Sequence, residues 1–374
     1  MHKFSAKMGR QQVVYHKLVF FKDHHPAVKD NPLTNMEQPI PNQPEFFRHV
    51  RSAVPAHISL VDELADILHL SIDSVYRRMR GEKELSLGEL QLICSHFKIS
   101  MDTFLQVSDR RMSFSCRYLD QENFHFREYL TQILDTFRFF QQFNHKDMVY
   151  LTKEYPIYHY FPFPEIASFK YFFWMKTYLN FPEMQKQKFR IGHFLEDLTE
   201  IGREISILYT KMRSIEIHNP DNILTTLRQI EYYKDSHFFE SAEDIEKVYD
   251  SLCDMVSHME EQTIHGKKFM KGAHPHSAQL DYHVYVTDFY IGDNTQLVTL
   301  DGRMLCYKVH NGVNYLTSSD PEFCRHSQRF VENVISKSTY ISSVGEKERS
   351  RFFNMIREKI DAYRSNRIHS IANV

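Results

Sequence analysis

From Pro44 onward, apolar side chains recur every three or four residues in short bursts, the spacing that lines one face of an α-helix. Phe46, Phe47, Val50 and Val54 define a first helix, Leu60, Leu64, Ile67 and Leu68 a second, and Ile72, Val75 and Met79 a third. Leu87, Leu90, Ile93 and Phe97 suit a fourth, and Met101, Phe104 and Leu105 a short fifth. The pattern predicts a five-helix domain over residues 44–107. A charged joint, Ser108-Asp-Arg-Arg111, opens a linker over 108–118.

Longer, Phe-rich periods follow. Phe124, Leu130, Ile133, Leu134, Phe137 and Phe140 mark one helix, and a dense aromatic passage from Tyr155 to Tyr178 another, bent at its start by Pro156, Pro162 and Pro164. Further helical periods at 191–212, 221–233 and 242–262 predict a helical regulatory or dimerisation region over 119–270. Between Asp281 and Ser319 the period drops to two, through Tyr282, Val284, Val286, Phe289 and Ile291, then Leu297 to Leu300 and Met304 to Val309. Asp301-Gly302 and Asn311-Gly312 separate these runs and accept the positive φ that tight hairpin turns require. We read a four-stranded antiparallel meander, then helices over Pro321 to Lys337 and Glu346 to Tyr363, in a segment spanning 271–374. The expected fold is therefore mainly α, with a small antiparallel β-meander near the C-terminus.

Residues 1–43 show no sustained period and carry Pro26, Pro32, Pro39 and Pro41, which predicts a disordered extension. Lys17 to Phe21 is its one strand-like piece. Met36 lies just ahead of the first helical pattern and is the expected natural start.

Composition narrows the function classes. The chain has 374 residues with 46 basic against 48 acidic side chains, so it is no polycation, and any nucleic-acid site must be local. Aromatics form 14% and Gly numbers 11, favouring an aromatic-cored globule over a loop-rich one. Cys94, Cys116, Cys253, Cys306 and Cys324 are scattered without a CxxC pair, which predicts buried thiols in a reducing cytoplasm. The most apolar run, Phe169 to Leu179, is broken by Lys170 and Lys176 and is far short of the roughly 20 residues that span a bilayer. No membrane contact is expected.

The segment HLSIDSVYRRMRGEKELSLGEL, His69 to Leu90, concentrates cations on one helix. Ser71 is a natural N-cap, and Asp73, Tyr76, Arg77 and Arg80 form an outer row opposite Val75 and Met79. Ile72 stands with the inner row, close to its exposed edge. With Leu64-Ala65 before it, Gly81 after it and the closing pattern LxxIxxHFxISxDxFL, the stretch from Leu64 to Leu105 resembles the phage-repressor and Cro class of helix-turn-helix, the XRE family.

The resemblance implies a lambda-repressor-like DNA-binding domain that works as a homodimer on double-stranded DNA, its recognition helix, about 71–80, in the major groove. Ile72, Asp73 and Arg77 match base-reading positions; Ser71, Tyr76, Arg80 and Lys83 match phosphate-contacting ones. An Arg77 guanidinium bidentate on guanine is worth roughly 1–3 kcal/mol of discrimination. Arg78 occupies a position that the family often fills with a packed aromatic. This chain departs from the family pattern at Val61, where a glutamine is common, and at His69, which replaces the turn glycine. Residues 45–105 carry nine acids against seven bases, so phosphate binding should be sharply salt-dependent.

Elsewhere, His274, His276 and His283 lack metal-ligand spacing, and Ser342-Ser343 lacks a nucleophile elbow, so no metal, cofactor or catalytic residue is expected. Tyr158, His159, Tyr160 and Trp174 are the candidates for lining a ligand pocket in the aromatic passage. The tail STYISSVGEKERSRFFNMIREKI resembles the end of uncharacterised regulators that join such a helix-turn-helix to a long C-terminal region. The expected function is cytoplasmic, sequence-specific transcription regulation, with a C-terminal region for dimerisation or for sensing a small-molecule or protein effector. A helix-turn-helix that docks a protein partner is the alternative, and an enzyme fused to a DNA-binding domain is a further one. Mass spectrometry of the native protein should find no peptide upstream of Met36; any such peptide refutes that start.

Overall fold

Asn42 starts the first helix by a reciprocal cap. Its side chain accepts from the Glu45 amide at 3.0 Å while the Glu45 carboxylate accepts from the Asn42 amide at 3.2 Å. In the computed structural model, which describes residues 42–365 apart from 56, 98, 100, 106–111, 113, 117–125, 193–195, 277–278, 290 and 293, this helix is α1 (Gln43–Ser52). It is followed by α2 (Leu60–Leu68), α3 (Ile72–Met79), α4 (Leu87–Phe97) and α5 (Met101–Leu105). Phe46, Val50, Leu64, Val75 and Ile93 close a hydrophobic core of their own. Two residues of the predicted inner rows face outward: Ile72 is 51% and Leu87 86% exposed. Both stand in the first turn of their helices, ahead of the face that reaches the core. The readings made for residues 1–41 lie outside the described residues.

The larger region overturns the mainly helical expectation. Its strands are β1 (Ser115–Cys116), β2 (Lys146–Leu151), β3 (Arg213–His218), β4 (Tyr282–Val286), β5 (Thr295–Leu300), β6 (Arg303–His310), β7 (Asn314–Ser318) and β8 (Thr339–Tyr340). They form one eight-stranded mixed sheet in the order β1-β7-β6-β5-β2-β3-β4-β8, and the fold is α/β. The hairpins β5–β6 and β6–β7 turn at Asp301-Gly302 and Asn311-Gly312, all four residues at positive φ. The first strand of the predicted meander is elsewhere: β4 pairs parallel with β3, and β3 parallel with β2, while β2 receives β5 antiparallel.

The physical reason is burial. Successive residues of a strand point to opposite faces, and in β2 every residue from Asp147 to Leu151 is buried. A strand covered on both faces carries no period of two and cannot be told by periodicity from a short helical segment. Parallel pairing also requires a long crossover, and here long helical stretches supply it. Between β2 and β3 run α7 (Ile157–Tyr160), α8 (Pro164–Phe173) with a π-helical turn over Trp174–Tyr178, and α9 (Glu196–Thr210); α6 (Phe126–Phe140), which precedes β2, packs on α9. Between β3 and β4 run α10 (Asn222–Asp235) and α11 (Ala242–His265), and α12 (Pro321–Ile335) and α13 (Glu346–Arg364) are the last helices among the described residues.

Every residue of α8 from Ile166 to Phe173 is buried. The two lysines that interrupt this apolar run are themselves buried and bonded. Lys170 Nζ donates to Gln229 Oε1 at 2.7 Å and pairs with Glu154. Lys176 Nζ donates to the carbonyls of Met184, Gln185 and Gln187 at 3.0, 2.6 and 2.9 Å. Among the described residues no helix is long and apolar enough to cross a membrane.

Gly202 permits the close approach of α9 to the aromatic layer, since a Cβ there would stand 2.9 Å from the Tyr171 hydroxyl and 3.0 Å from the Phe161 ring. Gly202→Ala should cost about 1–3 kcal/mol by overpacking. Gly292→Ala, where a Cβ meets nothing within 4 Å, should stay within about 0.5 kcal/mol of the parent. Denaturant unfolding of both variants measures this, and equal stability would refute the packing role of Gly202.

Candidate nucleic-acid interface

The turn between α2 and α3 is made without glycine. His69 adopts φ 52° and ψ 49°, a left-handed conformation that costs a side chain with a Cβ more than glycine. The Leu70 amide then donates to the Ala65 carbonyl at 3.0 Å, closing α2 in the manner of a Schellman motif. Ser71 caps α3, its Oγ accepting from the Ser74 amide at 3.3 Å. Val75 and Arg78 point inward, both buried, which leaves Ser71, Ile72, Asp73, Tyr76, Arg77 and Arg80 exposed, with Lys83 exposed in the following turn. The structure therefore brings all seven predicted DNA-contacting residues to the surface of one short stretch. Gly81, at φ 78°, ends the helix.

Arg78 is the residue that fixes this helix. Its Nε donates to Glu89 Oε1 at 3.0 Å and its Nη1 to the Ser74 carbonyl at 3.2 Å. Glu89 in turn accepts from the Ser86 amide at 2.8 Å while Ser86 Oγ accepts from the Glu89 amide at 3.2 Å, a capping box that starts α4. Burial alone would raise the Glu89 pKa. The bonds from Ser86 and Arg78 outweigh it and hold the carboxyl below its usual range. Gln43 is the support that sequence reasoning missed. Its Nε2 donates to the Arg78 and Lys83 carbonyls, both at 2.7 Å, and its Oε1 accepts from the Leu85 amide at 2.9 Å, fastening the turn after α3. No local pattern marks a glutamine at the start of α1 for contacts some forty residues away.

The exposed cations are already engaged. Arg80 makes a two-point contact with Glu82, at 2.5 and 3.1 Å, and Arg77 Nε lies 3.8 Å from the same carboxylate. The Arg80 pKa is raised by the hydrogen bond to Glu82 and that of Glu82 is lowered by its bond to Arg80. An exposed pair of this kind is weak and can exchange partners.

In the larger region, the four predicted pocket residues are all buried. Tyr158 and His159 line a void of about 20 Å³ with His258 and Phe269, room for about one water molecule. Tyr160 and Trp174 instead flank Lys170, whose Nζ lies 5.2 and 5.7 Å from their ring centroids.

His159 also belongs to a buried polar centre around Glu216, in the middle of β3 and wholly inaccessible. Glu216 accepts hydrogen bonds from His159 Nε2 at 2.9 Å, His218 Nε2 at 2.9 Å, the Tyr282 hydroxyl at 2.7 Å and the Tyr209 hydroxyl. Burial opposes ionisation of Glu216, but attraction to His159 and the bonds from both imidazoles outweigh it and hold the pKa well below the usual carboxylate range. Lys268 nearby is buried too, its ammonium donating to the Tyr209 carbonyl at 2.7 Å and Ser214 Oγ at 2.6 Å. Glu216 is fully enclosed, and this centre joins α7, α9, β3 and β4. Among the described residues no group of three His, Cys, Asp or Glu side chains is placed to hold a metal ion.

Comparison with protein-family models, with curated proteins and with solved structures gives no match.

Because the Glu89 pKa is depressed in the folded state, its contribution is present above the usual carboxylate pKa, about 4.3, and is lost as pH falls through the folded value. Glu89→Gln should destabilise the α3–α4 pair by about 1 kcal/mol at neutral pH and leave it unchanged in acid, where the parent carboxyl is protonated. Amide hydrogen exchange in α3 and α4 at the two pH values reads this; an equal effect at both would refute the ionic role.

Proposed function

We propose that this protein is a cytoplasmic, sequence-specific DNA-binding transcription regulator. The observation that carries the reading is the outer face of α3, where Asp73, Tyr76, Arg77 and Arg80 are exposed while Val75 and Arg78 anchor the helix from behind. In this reading α3 lies in the major groove. The Arg77 guanidinium reads a base edge, Asp73 and Ile72 contact neighbouring bases, and Ser71, Tyr76, Arg80 and Lys83 hold phosphates. Glu82 releases Arg77 and Arg80 as phosphate takes its place. The α/β region joins two copies, so that two recognition helices meet half-sites about 34 Å apart, and a shift in that pairing alters affinity.

A second reading, docking of a protein partner, draws on the same face: Ile72 and Tyr76 are 51% and 45% exposed, and Glu82 neutralises the cations beside them. Selection from a random duplex pool followed by electrophoretic retardation separates the two. The parent protein should enrich one sequence, and Arg77→Ala with Arg80→Ala should lose at least about tenfold to hundredfold in affinity for it with unchanged thermal unfolding. Glu82→Gln should bind several-fold tighter. No enriched sequence, or unchanged binding by the arginine variants, would overturn the DNA reading.

A further inference from the structure

A cleft of about 530 Å³ opens on the larger region, within the usual range of small-molecule sites, about 300–1,000 Å³. It lies where the parallel strands end. Lys153 follows β2, Asn219 follows β3, Ile291 lies beyond β4, and α10 begins at Asn222. In open α/β sheets, ligands bind outside the carboxyl ends of the strands, where helix N-termini also converge. From this cleft we infer a binding site for a small planar organic anion, with Arg228, Lys153 and the Gln229 amide on its charged part and Tyr178, Tyr232 and Phe173 on its ring.

The floor is rigid. Asn219 Nδ2 donates to the carbonyls of Thr287 and Phe289 at 2.9 and 3.1 Å, and Asn222 Nδ2 to the Thr152 carbonyl at 2.6 Å. Asn222 Oδ1 accepts from the Asn219 amide at 2.7 Å. These two amides tie the ends of β2, β3 and β4 together and have their hydrogen bonds committed.

What remains free is a set of donors. Arg228 and Lys153 are exposed, and among the described residues neither side chain has an ion-pair or hydrogen-bond partner. Gln229 is only 5% exposed. Its Oε1 accepts from Lys170, and an ammonium only donates, so its amide is oriented with Nε2 left over. That Nε2 has no acceptor within hydrogen-bond distance; the nearby Tyr178 hydroxyl has its pKa raised by burial and by the Glu154 charge, against a smaller opposing effect of Gln229. A buried donor without an acceptor is costly, and a ligand oxygen would satisfy it. The nearby acids are engaged: Asp221 lies 3.6 Å from Lys359 and Glu154 is bound by Lys170. The balance of free groups therefore favours an anion.

The ring contacts are equally placed. Tyr178 and Tyr232 are 45% and 49% exposed yet held, Tyr178 edge-on to Phe173 at 5.0 Å and Tyr232 edge-on to Tyr233 at 5.8 Å. Tyr178 also lies directly over Gly312, where any Cβ would come within 2.8 Å of its ring. Fixed, half-exposed aromatic faces beside cations suit a planar molecule bearing a carboxylate or a phosphate.

The site stands apart from the DNA reading and is tested without DNA. Isothermal titration calorimetry on the full chain uses benzoate, phenylpyruvate and adenosine monophosphate as probes, with inorganic phosphate beside them. At least one ring-bearing anion should bind saturably, more tightly than phosphate. Arg228→Ala and Lys153→Ala, both at the surface, should each weaken it, the former on the order of tenfold, with the circular dichroism melt unchanged. Absence of saturable binding by all three, affinity unaltered in both variants, or phosphate binding as tightly as the ring-bearing anions would each overturn the proposal. A carboxylate probe binding without the nucleotide, or the reverse, identifies which anion the site takes.

Discussion

The larger region depends on one buried carboxylate. Glu216 sits at the centre of the sheet, paired in register between Tyr150 and Val284, and an ionised group there is tolerable only if it is fully hydrogen-bonded. His159, Tyr209, His218 and Tyr282 supply those bonds. Each comes from an element that must already be in place: α7, the end of α9, β3 itself and β4. The carboxylate thereby couples the crossover helices to the register of the parallel strands, since a slip of β3 by one residue would carry it to the other face, away from His159, Tyr209 and Tyr282 on the neighbouring elements. Apolar packing alone gives no such penalty for a near-miss.

The same strands determine what lies at their ends. Because β2, β3 and β4 stop together, tied by Asn219 and Asn222, their carboxyl edge is a fixed ledge rather than a set of loose loops. The buried Lys170 then reaches from α8 to Gln229 on α10 and orients an amide at the cleft. A lysine that interrupts an apolar helix in sequence thus acts in the fold as a link between the aromatic core and the ledge.

In the helix-turn-helix, polar bonds at the turns around α3 add to the packing of its own apolar core. The His69 turn, the Ser71 cap, the Arg78–Glu89 pair and the Gln43 side chain fix α3 from its start, its inner face and its end. What α3 presents outward is an exposed polar row whose two leading cations, Arg77 and Arg80, rest in weak surface contact with Glu82.

Local signals determined a good part of this. The amphipathic spacing of α1 to α5, the Ser71 cap, and the hairpins at Asp301-Gly302 and Asn311-Gly312 depend on neighbours a few residues apart, so the chain itself records them. The exposed row on α3 was legible for the same reason. The parallel strands were not, because β2 is buried on both faces, and β2 and β3 are each only six residues long and lie between strong helical periods. The pairing of β4 with β3 rather than β5 was hidden as well, since it is decided by a long crossover and not by the adjacent turn. Only the tertiary structure turned Glu216 into a centre, made Arg78 a buried ion-pair partner and gathered Lys153, Arg228 and Gln229 at one cleft. Each of these rests on residues distant in sequence, for which no local periodicity exists.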